Sequence, residues 1–169
     1  MRVLIAFDKF KDSLTAAQAC GAAARALRAR HPDWTLDLCP LADGGEGFAE
    51  LLTAAAGGEL RRRPVTGPRG ESREAAFGLV EPDRIPRAAW TRLGVPELPA
   101  AAGRKVAVVE MAAASGLALV PAAARDPWRA TSRGTGELIR AAAETGAAAI
   151  LLGVGGSATH DLGFGALAA

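Results

Sequence analysis

The sequence predicts an α/β fold that contains parallel β-sheet, and three observations support this prediction. Short apolar runs typical of buried strands recur along the chain, at 3–7, 105–111 and 148–152. Segments with helical spacing of apolar residues alternate with them, as at 14–30. Polar, glycine-rich segments separate the two kinds of element, an order typical of α/β domains, which bind ligands at the C-terminal ends of their strands.

The first third of the chain shows this order most clearly. A polar cluster follows the first strand, and Ser13 then stands where a helix N-cap is expected. Pro32 marks the end of that helix. The elements predicted here, in order, are a strand over 3–7, a helix over 14–30, a strand over 35–38 and a helix over 48–56.

The remaining elements are less regular. Strand-like segments over 59–65 and 72–80 flank a turn-rich connector and predict a hairpin. Several prolines between 81 and 103 predict a surface excursion, with a short helical turn near Trp90 and Leu93. Beyond it we expect a strand over 105–111, regular structure over 116–120, a helix over 134–145, a strand over 148–152 and the first turns of a helix over 162–169.

Composition excludes several classes of protein. Of the 169 residues, 50% are hydrophobic and 22% are charged, which argues against intrinsic disorder. The formal net charge is only +2 and the basic residues are scattered, which argues against a nucleic-acid partner. No apolar run is long enough to predict a membrane span or a signal peptide, and two cysteines suggest reduced thiols. We therefore expect a cytoplasmic protein without membrane contact.

Three glycine-rich polar loops follow predicted strands, at 43–47, 132–136 and 153–161. Glycine lets backbone N–H groups turn toward a ligand, and a helix N-terminus adds positive potential, so such loops suit phosphate. None has the P-loop pattern or a full dinucleotide-binding pattern. Each loop alone is better explained as a structural turn, but the three together favour a phosphate ligand.

Five carboxylates lie at or next to predicted strand ends, where phosphoryl transfer needs a group that holds metal or accepts a hydroxyl proton. They are Asp8, Asp43, Glu46, Glu110 and Asp161. The alternative is structural, with Asp43 capping a helix and Asp8 forming an Asx turn. Lys9 and Lys11 stand out because lysine is rare in this chain, and they are candidates for binding a carboxylate or phosphate as well as ordinary surface lysines.

Glu110 has an unusual sequence context. It stands between an apolar run and the small residues 112–116, so we expect it to be buried or in a cleft, where it must be paired or bind something. His31 adjoins Pro32 and predicts a surface helix end, whereas His160 lies in the third glycine-rich loop, where it would be near a ligand. No Ser/His/Asp order or Cys/His metal spacing is present.

Six blocks of the sequence, in this order, resemble the bacterial glycerate kinase family, whose members phosphorylate D-glycerate with ATP. They read IAFDKFKDSLT at 5–15, LADGGEG at 41–47, VTGP at 65–68, VEMAAASGL at 109–117, TSRGTGEL at 131–138 and GVGGSATHD at 153–161. Together they cover nearly the whole chain.

The resemblance implies a two-domain α/β kinase with Rossmann-like or flavodoxin-like parallel sheet segments, ATP and Mg²⁺ as cofactors, and an active site in the cleft between domains. It implies catalytic roles for Lys9, Asp43 and Asp161: either aspartate would bind Mg²⁺ or accept the glycerate hydroxyl proton, and Lys9 would neutralise the glycerate carboxylate or the phosphoryl group. The residues expected to bind substrate or nucleotide are Asp8, Lys11, Ser13, Gly44, Gly45, Glu46, Glu110, Ser115, Ser132, Gly134, Thr135, Gly136, Gly155, Gly156, Ser157 and Thr159.

Two departures from the family pattern matter. His160 precedes Asp161, and Leu162 stands where the family has glycine, so Leu162 is expected to restrict the backbone of the third loop. Family members are also much longer, which predicts an N-terminal portion with three segments, 1–66, 67–112 and 113–169. The alternatives to a kinase are an inactive truncated fragment, completed by a missing C-terminal half or by a second copy, and an α/β module that binds a nucleotide or phosphate without turnover.

Overall fold

The structure is a computed structural model that describes residues 1–94 and 103–169. The chain divides into two compact units, residues 1–43 and residues 44–169, called here the first and second units. The three-segment division expected from the sequence stays a prediction.

The first unit is a parallel strand–helix–strand arrangement. Strand β1 (Arg2–Ile5) pairs in parallel with β2 (Thr35–Leu38), and helix α1 (Ala16–Arg30) connects them. Cys20 and Ala24 of α1 pack against Ile5 in a small apolar core. The predicted strand, helix and strand are thereby confirmed. The helix is needed because two consecutive strands can pair in parallel only through a crossover connection.

Helix α1 begins later than predicted. Ser13 is not its N-cap, because it lies in a tight turn in which the N–H groups of Ser13 and Leu14 donate to Phe10 O. Thr15 is the N-cap: its Oγ1 accepts from Gln18 N at 3.2 Å, and Gln18 Oε1 accepts from Thr15 N at 2.8 Å. This reciprocal capping box satisfies two backbone donors, which a cap at Ser13 would not achieve.

The second unit is built on a mixed four-stranded sheet in the order β3-β4-β5-β6. The predicted hairpin is confirmed as an antiparallel β3–β4 pair, β4 and β5 are also antiparallel, and β5 and β6 are parallel. The strands are β3 (Glu59–Thr66), β4 (Ser72–Val80), β5 (Val106–Glu110) and β6 (Ala149–Gly153), and the helices are α2 (Phe48–Ala55), α3 (Arg87–Leu93), α4 (Met111–Ser115), α5 (Arg133–Glu144) and α6 (Phe164–Leu167).

Helices pack on the sheet of the second unit in two separate apolar clusters. Val109 of β5 packs with Phe77 and with Leu138 of α5, and all three are fully buried. Val108, the neighbour of Val109 on β5, packs instead with Ala49 of α2. Because successive strand residues point to opposite faces, β5 is covered on both sides, as its continuous apolar run predicted.

Between the strands, the chain forms short helical turns. The regular structure expected over 116–120 is a single 3₁₀ turn at Leu117–Leu119, and the excursion after β4 contains a 3₁₀ turn at Pro82–Arg84 followed by α3. Residues 95–102 of that excursion lie outside the described part. Across the described ranges, none of the helices is both long enough and apolar enough to cross a membrane.

Candidate functional site

The structure brings the first and third glycine-rich loops into contact. Gly155 N donates a hydrogen bond to Gly44 O at 2.9 Å. A Cβ added to Gly155 would lie 2.7 Å from Gly45 N, and one added to Gly153 would lie 2.6 Å from Gly44 O. Glycine is therefore needed at Gly153 and Gly155 because the two backbones pass too closely for a side chain.

The third loop also contacts the second. Ser132 donates from both N and Oγ to Asp161 Oδ2, at 2.7 and 2.8 Å. Glu110 and Gly153 pair at the C-terminal ends of the parallel strands β5 and β6. The third loop therefore starts at the C-terminal end of β6 and joins the first loop to the second, at the position where α/β sheets bind ligands.

Several hydroxyl groups expected to bind a ligand lie in the interior. Ser115, Ser132 and Thr135 are buried, and Thr135 Oγ1 donates to Ser115 Oγ at 2.9 Å. Ser157 and Thr159 are half-buried, with their hydroxyl oxygens 3.0 Å apart. The interior hydroxyls hold α4 and α5 together, and a role in ligand binding stays a prediction for all five residues.

Two glycines of the second loop have a packing role that sequence reasoning did not identify. Gly134 and Gly136 lie in the first turn of α5, within the helix that was predicted over 134–145. A Cβ on Gly134 would collide with Thr66 O, and a Cβ on Gly136 would collide with Ala166 O. These glycines let α5 approach the end of β3 and α6 at backbone contact.

Glu110 is buried, as predicted, and is paired with the backbone of the second unit. Its Oε1 accepts from Gly47 N at 3.2 Å and its Oε2 from Ala49 N at 3.0 Å, at the N-terminus of α2. Burial raises the pKa of Glu110, the two N–H groups oppose this, and the charges of Glu46 and Glu50 raise it further. The net result is a pKa above the ordinary value. Glu110 therefore satisfies two backbone donors at the start of α2.

Asp161 has a carboxylate surrounded by hydrogen-bond donors. Besides the two bonds from Ser132, Gly165 N donates to Oδ2 and Gly163 N donates to Oδ1, each at 3.2 Å. Burial raises the pKa of Asp161, but these hydrogen bonds outweigh burial and hold the pKa below its usual value.

In the first unit, Lys9 lies between two carboxylates. Its Nζ is 2.9 Å from Asp43 Oδ1 and 3.8 Å from Asp8 Oδ1. The Lys9 side chain is largely covered, whereas the Asp43 side chain is 63% exposed. Lys11 and Ser13 are exposed on the turn that precedes α1. The structure thus assembles Asp8, Lys9 and Asp43 into one charged cluster.

We expected Mg²⁺ to bind at Asp43 or Asp161. Within 1–94 and 103–169, no group of three or more His, Cys, Asp or Glu side chains is placed to hold a metal ion. Asp161, one of the two expected ligands, directs both oxygens at backbone and hydroxyl donors. These donor contacts engage Oδ2 fully and Oδ1 in part.

Glu137 connects two of the sequence blocks and was missed by sequence reasoning. Its Oε2 accepts from Thr66 N at 2.6 Å, and its Oε1 accepts from Thr66 Oγ1 at 3.0 Å and from Arg133 Nε at 3.1 Å. Burial raises the pKa of Glu137, but these donors outweigh it and lower the pKa. The available signal was that Thr66 and Glu137 both lie in blocks shared with the family.

Leu162 adopts a left-handed backbone conformation, with φ +53°, and its side chain is 88% exposed. The expected restriction is therefore present as backbone strain, which costs about 1 kcal/mol for a residue with a Cβ. We expect Leu162→Gly to raise the free energy of unfolding by about 1 kcal/mol, measured by urea denaturation. Leu162→Ala is the control, since it keeps the Cβ, and a gain as large as that of the glycine variant would contradict the strain explanation.

Together, the fold and the joined glycine-rich loops define an α/β protein with a candidate ligand site at the C-terminal ends of parallel strands. The profile of the Glycerate kinase family matches residues 3–169, and the chain belongs to this family. The predicted family and α/β fold class are thereby confirmed.

Curated relatives and a solved structure agree with this assignment. The chain is 43% identical to glycerate 2-kinase of Escherichia coli K12 over 98% of its length, and 41% identical to glycerate kinase of Bacillus subtilis 168 over all of it. A crystal structure assigned to glycerate kinase 2 of Salmonella typhimurium LT2 superimposes with a TM-score of 0.69 at 40% identity, covering 99% of this chain. The chain spans 38%, 39% and 40% of the lengths of these three proteins.

Proposed function

We propose that this chain carries glycerate kinase chemistry, the transfer of the γ-phosphoryl group of ATP to a hydroxyl of D-glycerate. The observation that supports it most directly is the joining of the three glycine-rich loops through the Gly155–Gly44 and Ser132–Asp161 hydrogen bonds. Backbone-rich loops of this kind suit phosphate groups. The name of the Escherichia coli relative points to the 2-hydroxyl, and we extend that position to this chain.

The proposal assigns a separate role to each of four residues. Gly156, which is exposed and has φ +71°, donates its backbone N–H to phosphate oxygens. The exposed Asp43 carboxylate accepts the proton of the glycerate hydroxyl. At the same time the hydroxyl oxygen forms a bond to the γ-phosphorus, and the bond between the γ-phosphorus and the leaving ADP breaks. Lys9 orients Asp43 through the ion pair, and the exposed Lys11 neutralises the glycerate carboxylate.

ATP is the phosphoryl donor in this proposal, Mg²⁺ would accompany ATP, and no step is assigned to the ion. Cys20 and Cys39 are free thiols, in keeping with the reducing cytoplasm we propose as the location.

We expect the chain to release ADP from ATP only when D-glycerate is present, as measured in a coupled assay. Asp43→Asn keeps the size of the side chain but removes its ability to take the proton, so kcat/KM should fall about a hundredfold. Asp83→Asn, at an exposed turn of the second unit, is the matched control and should leave kcat/KM unchanged. Equal rates for the two variants would contradict the role of Asp43.

The second candidate is a module that binds a nucleotide or phosphate without turnover. The observation that favours it is that Asp161, one of the residues expected to be catalytic, has its carboxylate engaged by donors of the fold. A rise in the midpoint of thermal unfolding with ATP, in a chain that releases no ADP with D-glycerate, would support this candidate over the kinase. The absence of both results, with no rise in the midpoint and no ADP release, would exclude both candidates.

A further inference from the structure

Asp161 sits where three parts of the second unit meet. Its Oδ2 accepts three hydrogen bonds, from Ser132 N at 2.7 Å, Ser132 Oγ at 2.8 Å and Gly165 N at 3.2 Å, and its Oδ1 accepts one from Gly163 N at 3.2 Å. The carboxylate therefore connects the end of the third glycine-rich loop to the N-terminus of α5 and to the start of α6.

These bonds use most of what a carboxylate can accept. The two oxygens of an ionised Asp offer about four lone-pair positions; three donors point at Oδ2, which is fully engaged, and one points at Oδ1. A catalytic base must have a lone pair directed at the substrate proton, and a metal ligand must direct one at the cation. The donors around Asp161 are backbone and hydroxyl groups of the fold, so freeing Oδ2 for either role would break the bonds that join the loop to α5 and α6.

Ser132 extends the network. Its Oγ donates to Asp161 and accepts from Ala166 N at 3.0 Å, and its exposed fraction is 1%. Gly165 lets this part of the chain come close, because a Cβ there would lie 2.6 Å from Asp161 Oδ2. The end of the third loop, helix α5 and helix α6 thus meet around one carboxylate, and Oδ2 is the atom that joins them.

We infer that Asp161 is a positioning residue: it holds the Gly163–Ala166 backbone and Ser132 in place, and it neither accepts the substrate proton nor binds a metal ion. This differs from the role that the family resemblance implies. The inference rests on the proposed function only in the test that measures activity. The contacts of Asp161 are present in the folded chain whether or not it is active.

The pair Asp161→Asn and Asp161→Ala separates the two roles. With its carbonyl oxygen at the Oδ2 position, asparagine keeps the three bonds from Ser132 and Gly165 and loses only the one from Gly163, but it cannot act as a base. Alanine loses all four. We expect the asparagine variant to keep kcat/KM within about threefold of wild type and the alanine variant to lose about tenfold or more.

Amide hydrogen exchange supplies a readout that does not require activity. In Asp161→Ala, exchange at Gly165 and Ala166 should accelerate about tenfold or more because their hydrogen-bonded network is broken, whereas Asp161→Asn should stay near wild type. Asp126→Asn is the control for an aspartate in an exposed turn of the same unit, where Asp126 Oδ1 accepts from Trp128 N, and it should change neither readout.

Two results would overturn the inference. One is a loss of activity in Asp161→Asn as large as in Asp161→Ala while its amides stay protected, since that would assign chemistry to the charge. The other is wild-type protection of Gly165 and Ala166 in Asp161→Ala. If the wild-type chain shows no kinase activity, the proposed function fails, but the exchange pattern still decides the role of Asp161.

Discussion

Gly134→Ala is expected to destabilise the second unit by about 3 kcal/mol, although it adds a single methyl group to a helix. The added Cβ would collide with Thr66 O, which is a backbone atom of β3 and has no rotamer through which to move away. It would also lie 3.2 Å from Ala114 Cβ. Either α5 moves away from β3, or the Thr66–Glu137 hydrogen bonds break; both outcomes lower the free energy of unfolding. Urea denaturation followed by circular dichroism measures the change.

Gly21→Ala is the matched control for Gly134→Ala, because it makes the same substitution inside the other long helix. In α1 the new Cβ meets only the flexible end of Arg25, at an ordinary distance of 3.5 Å. Alanine favours helix over glycine, so this variant should be more stable by about 1 kcal/mol. Equal effects of the two substitutions would show that Gly134 is present for a reason other than packing.

These two glycines illustrate what could and could not be predicted from the sequence. The apolar runs of β1 and β5 and the glycine-rich loops were predictable, because burial and local backbone requirements leave a local pattern. The role of Gly134 was not, because its neighbour Thr66 is 68 positions away in a strand whose path only the fold defines. A glycine beside a polar loop has the same sequence pattern whether it approaches a ligand or another backbone.

For the same reason, the hydrogen-bond partners of the carboxylates could not be predicted from the sequence. Burial of Glu110 was predictable from its apolar neighbours, but its partners Gly47 and Ala49 lie more than 60 positions away. The number and direction of the donors around Asp161 also depend on where α6 packs. The residues of the candidate site were therefore predictable from the sequence, but which of them support the fold and which take part in chemistry was not.

Glu110→Ala is expected to destabilise the second unit by about 3 kcal/mol, because two backbone donors at the start of α2, from Gly47 and Ala49, lose their acceptor. The effect should depend on pH in a defined direction. The folded-state pKa of Glu110 is raised, so its contribution to stability is fully present below its unfolded pKa and is lost as the pH rises through the folded pKa. The gap between wild type and variant should thus be larger at about pH 4 than at about pH 8.

Glu137→Ala provides the matched test, because the pKa of Glu137 is shifted the other way. Its folded-state pKa is lowered, so its contribution is present above its unfolded pKa and is lost as the pH falls through the folded pKa. The gap for this variant should therefore be larger at about pH 8 than at about pH 3. Urea denaturation of wild type and both variants across this range measures the two gaps. A gap for Glu110→Ala that grows with pH, as expected for Glu137→Ala, would show that the buried carboxylate of Glu110 is stabilised in its charged form, contrary to the balance of burial and hydrogen bonding at the start of α2.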